Sequence, residues 1–243
     1  MIRVKIELSY DGSDFHGWQI QSNAVSVQGT VKEALRELFG EEVPTAGCSR
    51  TDAGVHAKYF VCHADLPRAF PWEKFPLAVN ALLPDSIAVL RASPAPEGFH
   101  ARFSCKGKTY RYRIYNERIR DPFEEKRAYF FPRPLSAEAM HQSAQAFVGE
   151  HDFAAFMASG SEVTDTVRTV YAASVERRGS VVEFSVTGNG FLYNMVRIMA
   201  GTLISEQMGK LSRSIPEIIS LRDRTLAGIT VPPQGLYLEK VFY

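Results

Sequence analysis

Hydrophobic and polar residues alternate strictly from Ile2 to Leu8, with Ile2, Val4, Ile6 and Leu8 on one face and Arg3, Lys5 and Glu7 on the other. A period of two marks a half-buried strand. The period then lengthens. Ser26 can cap a helix whose apolar stripe is Val27, Val31, Ala34, Leu35 and Leu38, closed by Gly40. Strand-like runs follow at Val43–Ala46 and Tyr59–Ala64. Pro71 and Pro76 then punctuate a short helix ending near Leu83-Pro84, and Ile87–Leu90 reads as another strand.

The second half repeats this order. Lys108 to Tyr115 alternates again, with Tyr110, Tyr112 and Ile114 opposite Thr109, Arg111 and Arg113. Pro132-Arg133-Pro134 breaks the chain, and Ser136 caps a helix through Ala146-Phe147. Val170–Val175 and Val181–Val186 form a hairpin around Arg177-Arg178-Gly179-Ser180. Helices at Phe191–Leu203 and Ile215–Leu221 and a strand from Leu236 to Tyr243 complete the chain. The pattern predicts an α+β fold of two ferredoxin-like (RRM-like) β-α-β-β-α-β halves, 1–103 and 104–243, forming a largely antiparallel sheet flanked by helices. No repeat at a fixed period accompanies it, so the duplication is a matter of topology.

A chain of 243 residues, 45% hydrophobic and 23% charged, is that of a globular protein with a core large enough to need no staples. No apolar run approaches the roughly 20 residues that span a membrane, and nothing at the start reads as a signal peptide, so the cytoplasm is expected. Cys48, Cys62 and Cys105 are odd in number and far apart, which supports reduced thiols and neither a disulfide framework nor a zinc site. The net charge of +1 announces no nucleic-acid partner, and any such partner must be argued from local patches.

Chemistry concentrates in Gly47-Cys48-Ser49-Arg50-Thr51-Asp52-Ala53-Gly54-Val55-His56-Ala57. Asp can fold its side chain onto its own backbone, Gly54 permits positive φ, and Ala53 lets another chain come close. Asp52 is thereby held on a tight loop between strands, with Arg50 two residues before it and His56 four after. Rigidly supported loops are where chemistry usually sits; a plain Asp-Gly-type turn with solvated charges is the alternative. The glycine-punctuated stretch Tyr10–Gln19 reads either as a loop covering the core edge or as a base-stacking rim carrying Tyr10, Phe15 and Trp18.

Apolar residues surround Arg197 on nearly every side of its helix, so its guanidinium needs a partner: Glu183 as a structural one, or Asp52, which an adjacent cation would keep ionised. Between Phe99 and Glu117 and just beyond, Arg102, Lys106, Lys108, Arg111, Arg113, Arg118 and Arg120 stand against Glu117 alone, interleaved with Phe103, Tyr110, Tyr112 and Tyr115. Cations that grip phosphates and aromatics that stack bases are the components of single-strand recognition; a strand with an incidentally basic face is the alternative. The six histidines show no ligand spacing. No Rossmann or P-loop phosphate cradle and no Gly-x-Ser-x-Gly appears, which leaves aspartate as the persuasive nucleophile.

Several ordered segments resemble the tRNA pseudouridine synthases of the TruA family: Tyr10-Asp11-Gly12-Ser13 with Gly17-Trp18-Gln19, Arg50–His56, Phe99–Ser104, Tyr110-Arg111-Tyr112, Met195-Val196-Arg197 and Gly235–Leu238. Ser49 stands where relatives often have glycine. The resemblance implies isomerisation of uridine to pseudouridine at positions 38, 39 and 40 of the tRNA anticodon stem-loop, by a homodimer without metal or nucleotide cofactor. It implies that Asp52 is the essential carboxylate, attacking ribose C1′ or uracil C6, that Tyr110 stacks on the uracil and can take its C5 proton, that Arg197 pairs with Asp52, and that Leu238 packs against the base or Tyr110. Arg50, His56, Lys58, Arg102, Lys106, Lys108 and Arg111 are the expected RNA-binding set. A non-catalytic RNA-binding protein of duplicated RRM-like units and a two-carboxylate glycoside hydrolase are the competing readings, the latter without an evident second acid.

Overall fold

The computed structural model describes residues 1–161 and 163–243. In chain order the elements are β1 (Ile2–Tyr10), α1 (Val27–Phe39), β2 (Thr45–Gly47), β3 (His56–Leu66), α2 (Phe75–Asn80), β4 (Ile87–Pro94), β5 (Gly107–Tyr115), β6 (Tyr129–Phe130), α3 (Ala137–Ala144), β7 (Gly149–Asp152), β8 (Val167–Arg178), β9 (Val181–Gly188), α4 (Met195–Gln207), α5 (Ile215–Leu221) and β10 (Leu236–Phe242). They form two compact units, Met1–Lys106 with Tyr237–Tyr243, and Gly107–Leu236. The sequence pattern put the division at 103/104 and left the last strand in the second half; the segment from Tyr237 belongs to the first unit. The class is mixed α+β, with mostly antiparallel strands and flanking helices.

In the first unit β1 is central, antiparallel to β4 on one side and to β3 on the other. The other edge of β3 is shared. Its residues 62–64 pair antiparallel with β2, whereas His56 and Ala57 pair in parallel with Tyr237 and Leu238 of β10. The alternation of β1 buries Val4, Ile6 and Leu8, leaving Ile2 exposed at the start of the strand. Helix α1 starts where the Ser26 hydroxyl accepts the Gly29 amide and ends at Gly40, whose φ of 80° lets its N–H reach Arg36 O. It buries Val27, Val31, Ala34 and Leu35, the valines and leucine each worth about 1.5–3 kcal/mol of transfer free energy and the alanine methyl less than about 1 kcal/mol.

In the second unit the sheet order is β5-β9-β8-β7, antiparallel throughout, with β6 added in parallel to β5. The hairpin β8–β9 extends further at both ends than the apolar runs suggested. The helix expected over Phe191–Leu203 begins four residues later and runs to Gln207, because Asn194 takes a left-handed conformation (φ 59°) that interrupts the preceding turn. As its all-round apolar sequence requires, α4 is buried on nearly every side, including Met195, Val196, Ile198, Met199 and Leu203.

Candidate active site

Asp52 lies half-buried on the 48–55 loop between β2 and β3, and the segment Tyr10–Trp18 holds that loop along its length. The Trp18 amide donates to Thr51 O (3.1 Å), the Gly54 amide to Phe15 O (3.1 Å), and the Val55 amide closes the turn onto Asp52 O (3.2 Å). The Tyr10 and Thr51 hydroxyls share a buried hydrogen bond of 2.7 Å. The two segments touch backbone to backbone. A Cβ on Gly12 would stand 2.0 Å from Val55 O, and one on Gly17 would stand 2.4 Å from Thr51 O. Gly54, at φ 76°, makes the turn as its sequence position requires.

Of the two readings of Tyr10–Gln19, the covering loop is correct and the stacking rim is not. Tyr10, Phe15 and Trp18 are all buried, with the indole stacked on Phe60 at 4.1 Å between centroids and lying where a Gly47 side chain would go. Their burial stiffens the loop from beneath.

His56, expected at an RNA surface, is 3% exposed. Its Nδ1 lies 3.1 Å from the Gly12 amide nitrogen and 3.1 Å from Asp11 Oδ1, and its ring stacks on Tyr237 at 4.5 Å. It ties three segments together: the Tyr10 loop, the start of β3, and β10. Leu238, fully buried, pairs with Ala57 one residue further along β3. Arg50 is exposed, and Lys58 is exposed beside Glu239 (3.0 Å). The first unit therefore gathers Arg50, Asp52, His56, Lys58 and Leu238 around the end of β3.

In the second unit Tyr110, on β5, is 7% exposed and meets Phe191 edge-on at 5.2 Å. Helix α4 packs on β5 and carries Arg197. The Arg197 Nε donates to Val231 O (2.8 Å) and Nη1 donates to Asn194 Oδ1 (2.7 Å). The next residue, Pro232, offers its carbonyl to the hydroxyl of fully buried Tyr112 (2.7 Å). Burial pushes the Tyr112 phenol well above its ordinary range, against a smaller opposing pull from the Arg197 charge. Glu183, the structural partner weighed for Arg197, lies instead across the strands from Arg111 (3.1 Å), Arg113 (3.7 Å) and Arg178 (3.6 Å).

The basic stretch is thus less unbalanced than its local sequence. Arg111 and Arg113 have carboxylates opposite them, Glu183 and Glu124, from elsewhere in the chain. Arg102, Lys106, Arg118 and Arg120 are exposed, and Lys108 is half-exposed. Among the described residues no cluster of His, Cys, Asp and Glu could hold a metal ion, and no helix is long and apolar enough to cross a membrane.

Sequence reasoning passed over Asn194, Val231 and the hydroxyl pair Tyr10–Thr51. Only Asn194 left a trace, as a residue type that tolerates left-handed backbone immediately before an apolar helix.

A carboxylate fixed on a buttressed loop is what nucleophilic or general-base catalysis asks of a protein. The chain belongs to the tRNA pseudouridine synthase family, whose model matches residues 8–104 and 143–243. Asp52, Arg197 and Leu238 fall within the matched segments, and Tyr110 between them. Over its whole length the chain is also similar to proteins named tRNA pseudouridine synthase A. It is 48% identical to that of Ruminiclostridium cellulolyticum over 245 residues, covering 100% of both chains. It is 45% identical to that of Thermoanaerobacter sp. over 244 residues, again covering 100% of both. With that of Bacillus subtilis it shares 43% over 245 residues, covering 100% of this chain and 99% of the relative.

Proposed function

We propose that this protein isomerises uridine to pseudouridine at positions 38, 39 and 40 of the tRNA anticodon stem-loop, with Asp52 as the essential carboxylate. The observation that carries the reading is the Asp52 loop, clamped along its length by backbone bonds and glycine contacts. Loop and segment alike lie within a family match that extends over both halves of the chain. The reaction breaks the N1–C1′ bond, turns the base and forms a C5–C1′ bond, while a proton leaves C5 and one is gained at N1. Nothing is oxidised and no energy input is needed. Such a reaction needs a positioned nucleophile, a platform for the loosened base and a closed pocket.

In this reading Asp52 attacks ribose C1′ or uracil C6, and Arg197 pairs with it and keeps it ionised. Tyr110 stacks on the uracil, and Leu238 packs beside it. The target base must leave its stack at a cost of a few kcal/mol, which contacts to the RNA offset. The exposed cations Arg50, Lys58, Arg102 and Lys106 are suited to meet phosphate directly. Lys108 and Arg111 contribute from a half-buried strand, and His56 acts from beneath through the loop it braces. The two halves of the chain are each ferredoxin-like, supported in the first by the order β4-β1-β3-β2. A homodimer working in the cytoplasm completes the proposal.

The test is tritium release from tRNA labelled at C5 of uridine, for the parent protein and Asp52→Asn, with tRNA affinity measured alongside. The parent releases tritium, while Asp52→Asn releases none and binds within a few-fold. Binding without release by either protein favours an RNA-binding module in place of an enzyme.

A further inference from the structure

We propose that Asn194 is a positioning residue that fixes the plane of the Arg197 guanidinium. The proposal rests on the reading of Arg197 as the partner of the catalytic carboxylate.

Asn194 occupies the N-cap of α4 but does not act as an N-cap. Asparagine there normally accepts a hydrogen bond from an amide in the first turn, which stabilises the helix start. Here the side chain makes no such bond, and the backbone takes φ 59°, ψ 9°, outside the extended conformation of capping residues. Only one other described non-glycine residue, Arg222, has positive φ, and it sits at a helix C-terminus, where that conformation is ordinary. Asn194 therefore bears two local penalties together, a forgone cap and a left-handed backbone. Local strain of this kind persists where the surroundings impose it, often at functional sites.

The outcome of both departures is one contact: Oδ1 receives Nη1 of Arg197 at 2.7 Å. Val231 O receives Nε from another direction at 2.8 Å. A guanidinium is planar, so two acceptors on different nitrogens fix both its position and its plane. The second acceptor belongs to a buried residue of a packed segment. Gly228 donates its amide to Thr202 on α4 (2.9 Å), and a Cβ on Gly201 would stand 1.8 Å from Ile229 O, so the 228–231 segment lies flush on the helix. A glycine at 194 would satisfy the backbone conformation without the side chain. The asparagine is explained by what its oxygen holds.

The experiment compares Asn194→Gly, Asn194→Asp and Arg197→Ala with the parent, reading the single-turnover rate, tRNA affinity and melting temperature. Asn194→Gly keeps the backbone conformation and removes the acceptor. Its rate is expected to fall about tenfold to a hundredfold, the value of one charge-assisted hydrogen bond, with affinity within twofold and no loss of melting temperature. Asn194→Asp restores an acceptor at the same atom and recovers most of the rate. If Asn194→Gly turns over within twofold of the parent while Arg197→Ala is severely impaired, the positioning role is overturned and the reading of Arg197 stands. If Arg197→Ala also turns over normally, both fall. A loss of rate in Asn194→Gly that tracks a loss of melting temperature, unrecovered by Asn194→Asp, also overturns the proposal in favour of a role in folding alone.

Discussion

Gly17 and Gly40 have nearly the same positive φ, 87° and 80°, in entirely different surroundings. A Cβ on Gly40 meets nothing within 4 Å; a Cβ on Gly17 would lie 2.4 Å from Thr51 O, 3.1 Å from Asp52 C and 3.2 Å from Ala53 N. Alanine at either position pays the left-handed penalty of roughly 1–2 kcal/mol. At Gly40 that is the whole effect, about 2–6 °C in melting temperature for a chain of this size, with kcat unchanged. At Gly17 the new methyl must also push the carbonyl before Asp52 away by about 1 Å to reach ordinary contact, and overpacking of this kind costs a further ~1–3 kcal/mol. The total of about 2–5 kcal/mol lowers the melting temperature clearly more than at Gly40. A displacement of about 1 Å at a reacting group can cost on the order of a hundredfold in rate. Tritium release measured as kcat and KM, beside thermal melts of both variants, separates the contributions. If Gly17→Ala loses no more stability than Gly40→Ala and keeps the parent's kcat, the Tyr10–Trp18 segment does not set the position of Asp52.

Two further outcomes follow from the charges. His63 is buried, its Nδ1 accepting the Ala101 amide at 3.1 Å, and burial, with Arg3 and His100 nearby, pushes its pKa down to about 4. The unfolded chain therefore takes up a proton as pH falls below about 6.5 that the folded chain refuses until about pH 4. Stability is full above that window and declines through it by about 2–3 kcal/mol once solvent screening is allowed for; urea midpoints between pH 7.5 and 4.5 check this, since His63→Gln must flatten the decline and an unchanged slope refutes it. Lys106 is exposed and Arg111 faces Glu183, so Lys106→Ala weakens all tRNAs alike and lowers the salt slope by about one, while Arg111→Ala lowers it by less. Equal changes in slope would mean that the Glu183 contact does not restrain Arg111.

What could be read along the chain was what neighbouring residues decide. The alternation of β1, the Ser26 and Gly40 caps of α1 and the Asp52 turn each depend on residues a few positions apart, and each is found near its expected place. What could not be read depends on distant partners. Trp18 looked exposed because Phe60 and Gly47, which enclose it, are far along the chain. The stretch from Arg102 to Arg120 looked unbalanced because Glu183, which faces Arg111 and Arg113, lies on another strand. Asn194 looked like part of a helix because nothing local shows that its side chain is needed by Arg197.

The parallel pairing of Tyr237 and Leu238 with His56 and Ala57 bears on how the molecule comes into being. Everything from Gly107 to Leu236 separates the two paired segments, and that stretch folds as a compact unit of its own. On the ribosome the first unit emerges early, with the β3 edge beside the Asp52 loop still open, and stays incomplete until the second has been made. An open strand edge invites mispairing, and a closing contact so distant in sequence forms slowly. A nascent chain therefore carries the Asp52 loop long before it carries the strand that flanks it, and the bracing of His56 by Tyr237 is among the last things synthesis supplies.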